Sequence, residues 1–402
     1  MMTLTDGITI RSATEDDLSA IDTLVATSFG AYGPADLHEY SKQLFPPQDA
    51  IVAVDDGQVV GHVKSRRMTV TVPGERTVDG CGIAAVGVAP THRRRGILRA
   101  MYTEQHRRTE AAGLALTLFT ASEGGIYGRF GYGPTVRDNA ISIDRRFAEF
   151  RPTTPDPGGV RLAAAAAVTE HVKTVYDRWR RLTPGAQVRP EASWAMRFAD
   201  PELVRNGGSE LFAFTHPDGY ALYRNHFTAS ERTVDVLELR AVTAEAHAAL
   251  WRALLGLDLA QQVKAVLGDH DPLPYLLTDP RLVRTTGRAD GLWLRLMDVP
   301  AALSARTYQR DLDLVLAVHD PFRDAGGSFA LRVRDGIAEC GPTTRTPDVE
   351  LGIDVLAGMY LGAYPARDFA AANRLQTKDP AVLAAVQEAF GTDRDAVLGW
   401  FF

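Results

Sequence analysis

The chain is nearly free of cysteine, with only Cys81 and Cys340 in 402 residues. A disulfide framework needs an even set of close-spaced cysteines, and a zinc site needs paired Cys or His ligands; neither pattern is present. Two reduced thiols are the expectation. No run of 18 apolar residues occurs, so no segment reads as a membrane span. Residues 1–14 lack the apolar stretch of a secretion signal, which makes the cytoplasm the expected location. Positive charge is also scarce overall. The 44 Lys and Arg residues against 50 Asp and Glu give a net charge of −6, which argues against a nucleic-acid binder and weakly favours a cationic substrate. A Walker loop and a three-glycine dinucleotide fingerprint are both missing.

What is present is a 45% hydrophobic chain long enough for two or three folded domains. Its most informative stretch runs from Val86 to Met101. The apolar strand end Val86-Gly87-Val88 leads into a turn with His92, Arg93, Arg94, Arg95 and Gly96, and an amphipathic helix follows, with Ile97, Leu98, Met101 and Tyr102 on one face. The first N–H groups of a helix have no partner in the helix and bind anions, with help from the helix dipole. Gly96 allows close backbone approach, and Arg93, Arg94, Arg95 and Arg99 can neutralise phosphates. In an acidic chain, this local basic cluster favours a small anionic cofactor. A second motif, Ser122-Glu123-Gly124-Gly125-Ile126-Tyr127-Gly128-Arg129-Phe130-Gly131-Tyr132, follows the apolar run Leu114–Phe119.

The pattern Arg93-x-x-Gly96 resembles the acyl-CoA pyrophosphate loop of the GCN5-related N-acetyltransferases, although Leu98 stands where that family usually has Gly or Ala. The Tyr127–Tyr132 arrangement resembles the same family's thioester end. The segments APTHRRRGILRAM, ASEGGIYGRFGYGP, HPDGYALYR (216–224), ELRAVTAEAH (238–247), DGLWLRLMDVPAAL (290–303) and AANRLQTKDP (371–380) are closer still to the Eis (enhanced intracellular survival) branch, over the full length of the chain.

The expected architecture is mixed α/β: an acetyltransferase domain at 1–150, a degenerate second acetyltransferase-like domain at 151–294 and a sterol-carrier-protein-like domain at 295–402. In the first domain, strands are expected at 8–11, 50–54, 59–63, 68–72, 82–88, 114–119 and within 136–143, with Thr14 and Asp17 opening the first helix. Residues 151–159 read as a linker. Strands at 212–215, 219–225 and 234–240, a helix at 244–255 and a strand at 262–267 repeat the first region's order without its glycine and basic run. Beyond Leu294, strands at 312–318, 329–334 and 337–340 and helices at 355–361 and 379–390 are expected. The region around 348–363 resembles a sterol-carrier-protein domain and is expected to be structural.

The resemblance implies acetyl-CoA as co-substrate, no metal, and direct transfer in a ternary complex. The backbone of Val86, Gly87 and Val88 would align the thioester. Arg93 through Arg99 (Arg93, Arg94, Arg95, Gly96, Ile97, Leu98, Arg99), with Ser122 and Glu123, would hold the cofactor. Tyr127 would be the general acid and the terminal carboxylate at Phe402 the general base. Burial of the apolar tail Trp400-Phe401-Phe402 would raise that carboxylate's pKa. Phe29 and Tyr40 are weak candidates for the acceptor pocket. His92 and His106 are read as surface or capping histidines rather than as the base. By resemblance the acceptors are aminoglycosides and similar polyamines, modified at several amines to give antibiotic resistance, and the assembly is a homohexamer. Two alternatives stay open: a protein lysine acetyltransferase, and a lipid-binding protein with a vestigial transferase.

Overall fold

The chain divides into two units, one made of Met1–Val136, Gly185–Val188 and Gly291–Phe402 and the other of Arg137–Pro184 and Arg189–Asp290. The computed structural model describes every residue except 1, 5, 6, 31, 32, 34–36, 230 and 231.

In the first unit, β1 (Met2–Thr3), β2 (Thr9–Ser12), β3 (Ile51–Asp55), β4 (Gln58–Val72) and β5 (Arg76–Val88) neighbour one another in that order, all antiparallel. The Asp55–Gln58 hairpin follows from its Asp-Gly turn, with Asp56 and Gly57 both at positive φ. Between β2 and β3 lie α1 (Leu18–Phe29) and α2 (His38–Leu44). Thr14 and Asp17 meet as expected: the Thr14 N–H donates to Asp17 Oδ2 at 2.8 Å, and Arg11 pairs with the same carboxylate at 2.7 Å. β6 (Leu116–Phe119) lies parallel to β5, so the chain must cross over between them, and α3 (Ile97–Ala111) makes the crossing. α3 buries Ile97, Ala100, Met101 and Tyr102 against Val60, Val63 and Ile83. The short α4 (Gly124–Tyr127) follows β6, and Trp293–Leu296 pairs antiparallel with β6 on its other side.

β4 is one strand of 15 residues, where the sequence suggests two separated by the polar stretch Lys64–Arg67. The ladder with β5 continues through that stretch, pairing Lys64 with Ala84 and Arg66 with Gly82, because backbone hydrogen bonds do not depend on side-chain polarity.

The last part of this unit has its own five-stranded sheet, in the spatial order 337–342, 327–334, 312–319, 349–352, 375–377. Helices Ile353–Tyr360 and Pro380–Ala389 occupy the stretches expected to be helical. Arg306, fully buried there, donates to the carbonyls of Tyr360 at 2.6 Å and Phe390 at 3.2 Å.

In the second unit the strands order as 139–144, 262–267, 232–241, 219–227, 212–216 and 161–164. Strands 232–241 and 262–267 are parallel and joined by helix Ala244–Leu255, the same crossover as β5–α3–β6. The start of this helix differs. Thr243 caps it with its own side chain, accepting from the Ala246 N–H at 3.2 Å, so one of the donors an anion would need is already used. Two helices not read from the sequence, Thr169–Leu182 and Glu191–Ala199, complete the unit.

Candidate active site

β5 and β6 pair only at Gly80–Leu116, Cys81–Thr117 and Gly82–Leu118. β6 ends at Phe119 while β5 continues to Val88, so the two strands part beyond Gly82. On its β4 side, β5 carries a bulge. Three steps on β5, from Ala84 to Gly87, oppose two on β4, from Lys64 to His62, and Ala85 takes φ +49°. A bulge re-aims the backbone groups beside it, and here it lies next to Val86, Gly87 and Val88.

After Val88 a short turn, Pro90–His92, leads to Arg94 at φ +65° and Gly96 at φ +79°. A Cβ on Gly96 would meet nothing within 4 Å, so glycine serves the left-handed backbone and leaves open space. α3 has no side-chain N-cap, and the Ala100 N–H donates back to the Gly96 carbonyl at 3.0 Å. The N–H groups of Ile97, Leu98 and Arg99 precede that bond and are the natural anion donors. Ile97 is fully buried and Leu98 half-buried, so these two can offer only backbone to a phosphate.

The four arginines of the loop are exposed but differently engaged. Asp55, at the end of β3, takes both Arg95 and His92 at 3.1 Å. Arg99 stacks on Phe322 with its guanidinium carbon 5.0 Å from the ring centre. Arg93 and Arg94 make no ion pair among the described residues. His92 thus orders the loop. His106 is not a surface group: it is buried, and its Nε2 lies 2.9 Å from the Tyr132 hydroxyl, because α3 presents that position to the core.

Tyr127 sits at the end of α4 with 7% of its surface exposed, its ring 4.3 Å from Phe119, 6.2 Å from Tyr102 and 6.4 Å from Trp293. Burial, then the nearby Glu123 charge, raises its phenol pKa above the ordinary value, so it stays protonated through neutral pH. Ser122 and Glu123 are exposed in the turn before α4.

The tail is docked. Gln187 accepts from the Gly399 N–H at 3.2 Å and the Trp400 N–H at 3.3 Å, and the Trp400 indole donates to the Val188 carbonyl at 3.2 Å. Segment 185–188 is itself bound to β4, with Thr71 N–H to Ala186 O at 2.8 Å and Val188 N–H to Thr69 O at 2.9 Å. Phe402 is 9% exposed, and its ring lies 3.1 Å from where a Cβ on Gly82 would stand. The residue at the proposed base position is therefore beside the last paired residue of the β5–β6 opening. Phe29 ends α1 and is 53% exposed, and Tyr40 lies on α2, partly buried.

Sequence reasoning passed over β4. Its even positions His62, Lys64, Arg66 and Met68 share the face that carries the tail, because Met68 and Phe402 both crowd Gly82, the partner of Arg66. A row of basic residues at every second position of a strand was the available signal.

No group of three or more His, Cys, Asp or Glu side chains among the described residues is placed to hold a metal. Both cysteines are free, Cys81 buried and Cys340 half-buried. No described helix is long and apolar enough to cross a membrane.

Residues 9–135 match an acetyltransferase (GNAT) domain, 185–296 a second acetyltransferase (GNAT) domain and 299–399 a sterol carrier protein domain. The chain is 45% identical over 399 residues to the N-acetyltransferase Eis of Mycobacterium tuberculosis, covering 96% of this chain and 97% of that protein. It is 32% identical over 359 residues to an uncharacterized N-acetyltransferase of Streptomyces griseus, covering 85% and 86%. The crystal structure of Eis1 from Mycobacterium abscessus superposes with a TM-score of 0.88 at 31% identity, covering 98% of this chain and all of that one. A GCN5-related N-acetyltransferase from Anabaena variabilis shares the fold, with a TM-score of 0.85 at 19% identity over 98% of this chain and all of that one.

Proposed function

The chain belongs to the Eis-type N-acetyltransferases of the GNAT superfamily, and on that premise we propose that β5, the start of α3 and Tyr127 form its transfer site, acting on primary amines. The observation that carries this reading is the coincidence, within 50 residues of chain, of a bulged strand parting from its neighbour, an uncapped helix start behind an Arg/Gly loop, and a buried tyrosine.

Acetyl-CoA, the co-substrate of GNAT enzymes, supplies the acetyl thioester. The N–H groups of Ile97, Leu98 and Arg99, with Arg93 and Arg94, fit its pyrophosphate. Backbone at Val86–Val88 aligns the thioester arm, and one N–H there stabilises the oxygen on which charge develops, for about 3 kcal/mol of barrier. In the transfer the amine nitrogen bonds to the acetyl carbon as the carbon–sulfur bond breaks. The amine's proton passes to the carboxylate at Phe402, and the leaving sulfur takes the Tyr127 phenol proton. The resemblance supplies the acceptors to try first, aminoglycosides and other polyamines modified at more than one amine, and a homohexameric assembly.

The test is thiol release from acetyl-CoA with kanamycin, spermidine and a lysine peptide, each product weighed by mass spectrometry. Several acetyl groups on kanamycin would support the broad amine reading. Tight acetyl-CoA binding with no release from any amine would overturn it.

A further inference from the structure

Residues 391–402 form no helix or strand. A chain end of that kind frays unless something ties it down. Here Trp400 and Phe402 are buried, although Phe401 between them is exposed. Gln187 and Val188, 212 or 213 positions earlier in the chain, supply three hydrogen bonds to Gly399 and Trp400. The Trp400 ring then packs on the Phe402 ring, with centres 5.4 Å apart, and the Phe402 ring covers Gly82. The hydrogen bonds stop two residues short of the terminal carboxylate. A residue spans at most about 3.6 Å, so with Trp400 held the carboxylate has a reach of about 7 Å.

Gln187 is itself firmly placed. It is fully buried, it bridges to Val70 of β4, and its neighbours Ala186 and Val188 bond to the β4 backbone on either side. Its side-chain amide is used at both ends. Nε2 donates to the Gly185 carbonyl at 2.7 Å, and the two lone pairs of Oε1 take the Gly399 and Trp400 N–H groups. Exchanging the amide oxygen and nitrogen would set NH₂ against two N–H donors, so the network fixes this orientation. Gly185 lies against the tail as well: it takes φ +84°, and a Cβ there would stand 3.1 Å from the Val397 carbonyl. An apolar side chain at 187 would fill the space but take this acceptor from two backbone N–H groups of the tail.

We propose that Gln187 is a positioning residue for the transfer: by holding Gly399 and Trp400 it fixes where the Phe402 carboxylate stands. The inference rests on the transfer reading above, in which that carboxylate takes the amine's proton. It gives a task in the first domain's chemistry to a residue from the stretch that matches the second acetyltransferase domain. A base works only when held within hydrogen-bond reach of the proton it removes, and a displacement of about 1 Å can cost about a hundredfold in rate. A tail released at Gly399 loses that placement while the Arg/Gly loop and Tyr127 stay as they are.

The test uses the full chain and whichever of kanamycin, spermidine and the lysine peptide releases thiol. Gln187→Met keeps the side chain's length and removes the amide's hydrogen bonds. Its kcat should fall about ten- to hundredfold, with calorimetric acetyl-CoA binding unchanged. Carboxypeptidase A, followed by intact mass, should release Phe402 from this variant faster than from wild type. Gln187→Glu keeps an oxygen for the two N–H groups and should restore part of both readouts. A role in packing alone would lower the melting temperature and leave the kcat of the folded protein unchanged. Wild-type kcat in Gln187→Met, while the chain extended by one glycine is inactive, upholds the Phe402 base and overturns the positioning role. A loss of kcat with wild-type trimming also overturns it, because the residue then acts other than through the tail. Full activity of the extended chain overturns the base and the positioning role together. No thiol release from wild type with any amine overturns the transfer reading and the role built on it, and faster trimming of Gln187→Met then reports the clamp alone.

Discussion

Lowering the pH from 7 to 5 should destabilise the fold through His62 more than through any carboxylate. Burial, then the Lys64 charge, pushes its pKa from 6.5 down to about 3. Below pH 6.5 the unfolded chain takes up a proton at this residue and the folded chain does not. Stability is therefore complete above 6.5 and is lost as pH falls towards 3. The slope is about 1.4 kcal/mol per pH unit, so the group accounts for about 2 kcal/mol by pH 5 and at most about 5 kcal/mol over the whole window. Asp17 and Glu104, held near 2 by Arg11 and Arg107, act in the same direction but only below the ordinary carboxylate range. His106 is also held neutral by burial, so a comparison is needed to isolate His62. Urea unfolding of wild type and His62→Gln at steps from pH 7 to 5 supplies it. The stability difference between them should shift by about 2 kcal/mol in favour of the variant as pH falls. Parallel curves would show that His62 is solvated or partnered, and would refute the reasoning.

Tyr127→Phe removes only the phenol oxygen and should lower kcat by about 10²-fold or more while calorimetry finds acetyl-CoA binding unchanged. Gly96→Ala meets no neighbour but must hold φ +79°, so a loss of about 1–2 kcal/mol is expected, read as weaker acetyl-CoA binding in the same calorimetric titration. Gly131→Ala would put a methyl 1.7 Å from Nη1 of Arg295, whose guanidinium also binds Phe130 and Asp320; a drop of about 3–5 kcal/mol in urea unfolding should follow. Adding one glycine after Phe402 moves the carboxylate one residue further along the chain and should abolish turnover in the thiol-release assay with melting unchanged; full activity would remove Phe402 from the mechanism.

Much of the architecture was legible because it rests on local rules. The helix at 244–255 and the strand at 262–267 have the bounds the sequence suggests, since Thr243 caps one and alternation marks the other. The helix at 169–182 was missed although Val172, Val175, Tyr176 and Trp179 repeat at helical spacing, because the alanine run before it has no period of its own. Of the candidate site, the Arg/Gly loop and Tyr127 lie in contiguous motifs, so sequence alone singles them out. The bulge at Ala85, the grip of Gln187 on the tail and the burial of His106 depend on residues brought together across the sheet, which spacing along the chain does not report. The polar residues of β4 looked like a break in the strand, and only the ladder with β5 shows them as one row.

The alternation of β4 also separates two demands that many enzymes must meet with the same residues. Odd positions such as Val63 build the packed side against α3, while even positions face the tail. A substitution at 64 or 66 therefore alters the tail-facing side while leaving the packed side against α3 alone. Relatives with this fold can vary the tail-facing side of one strand without repacking its other side.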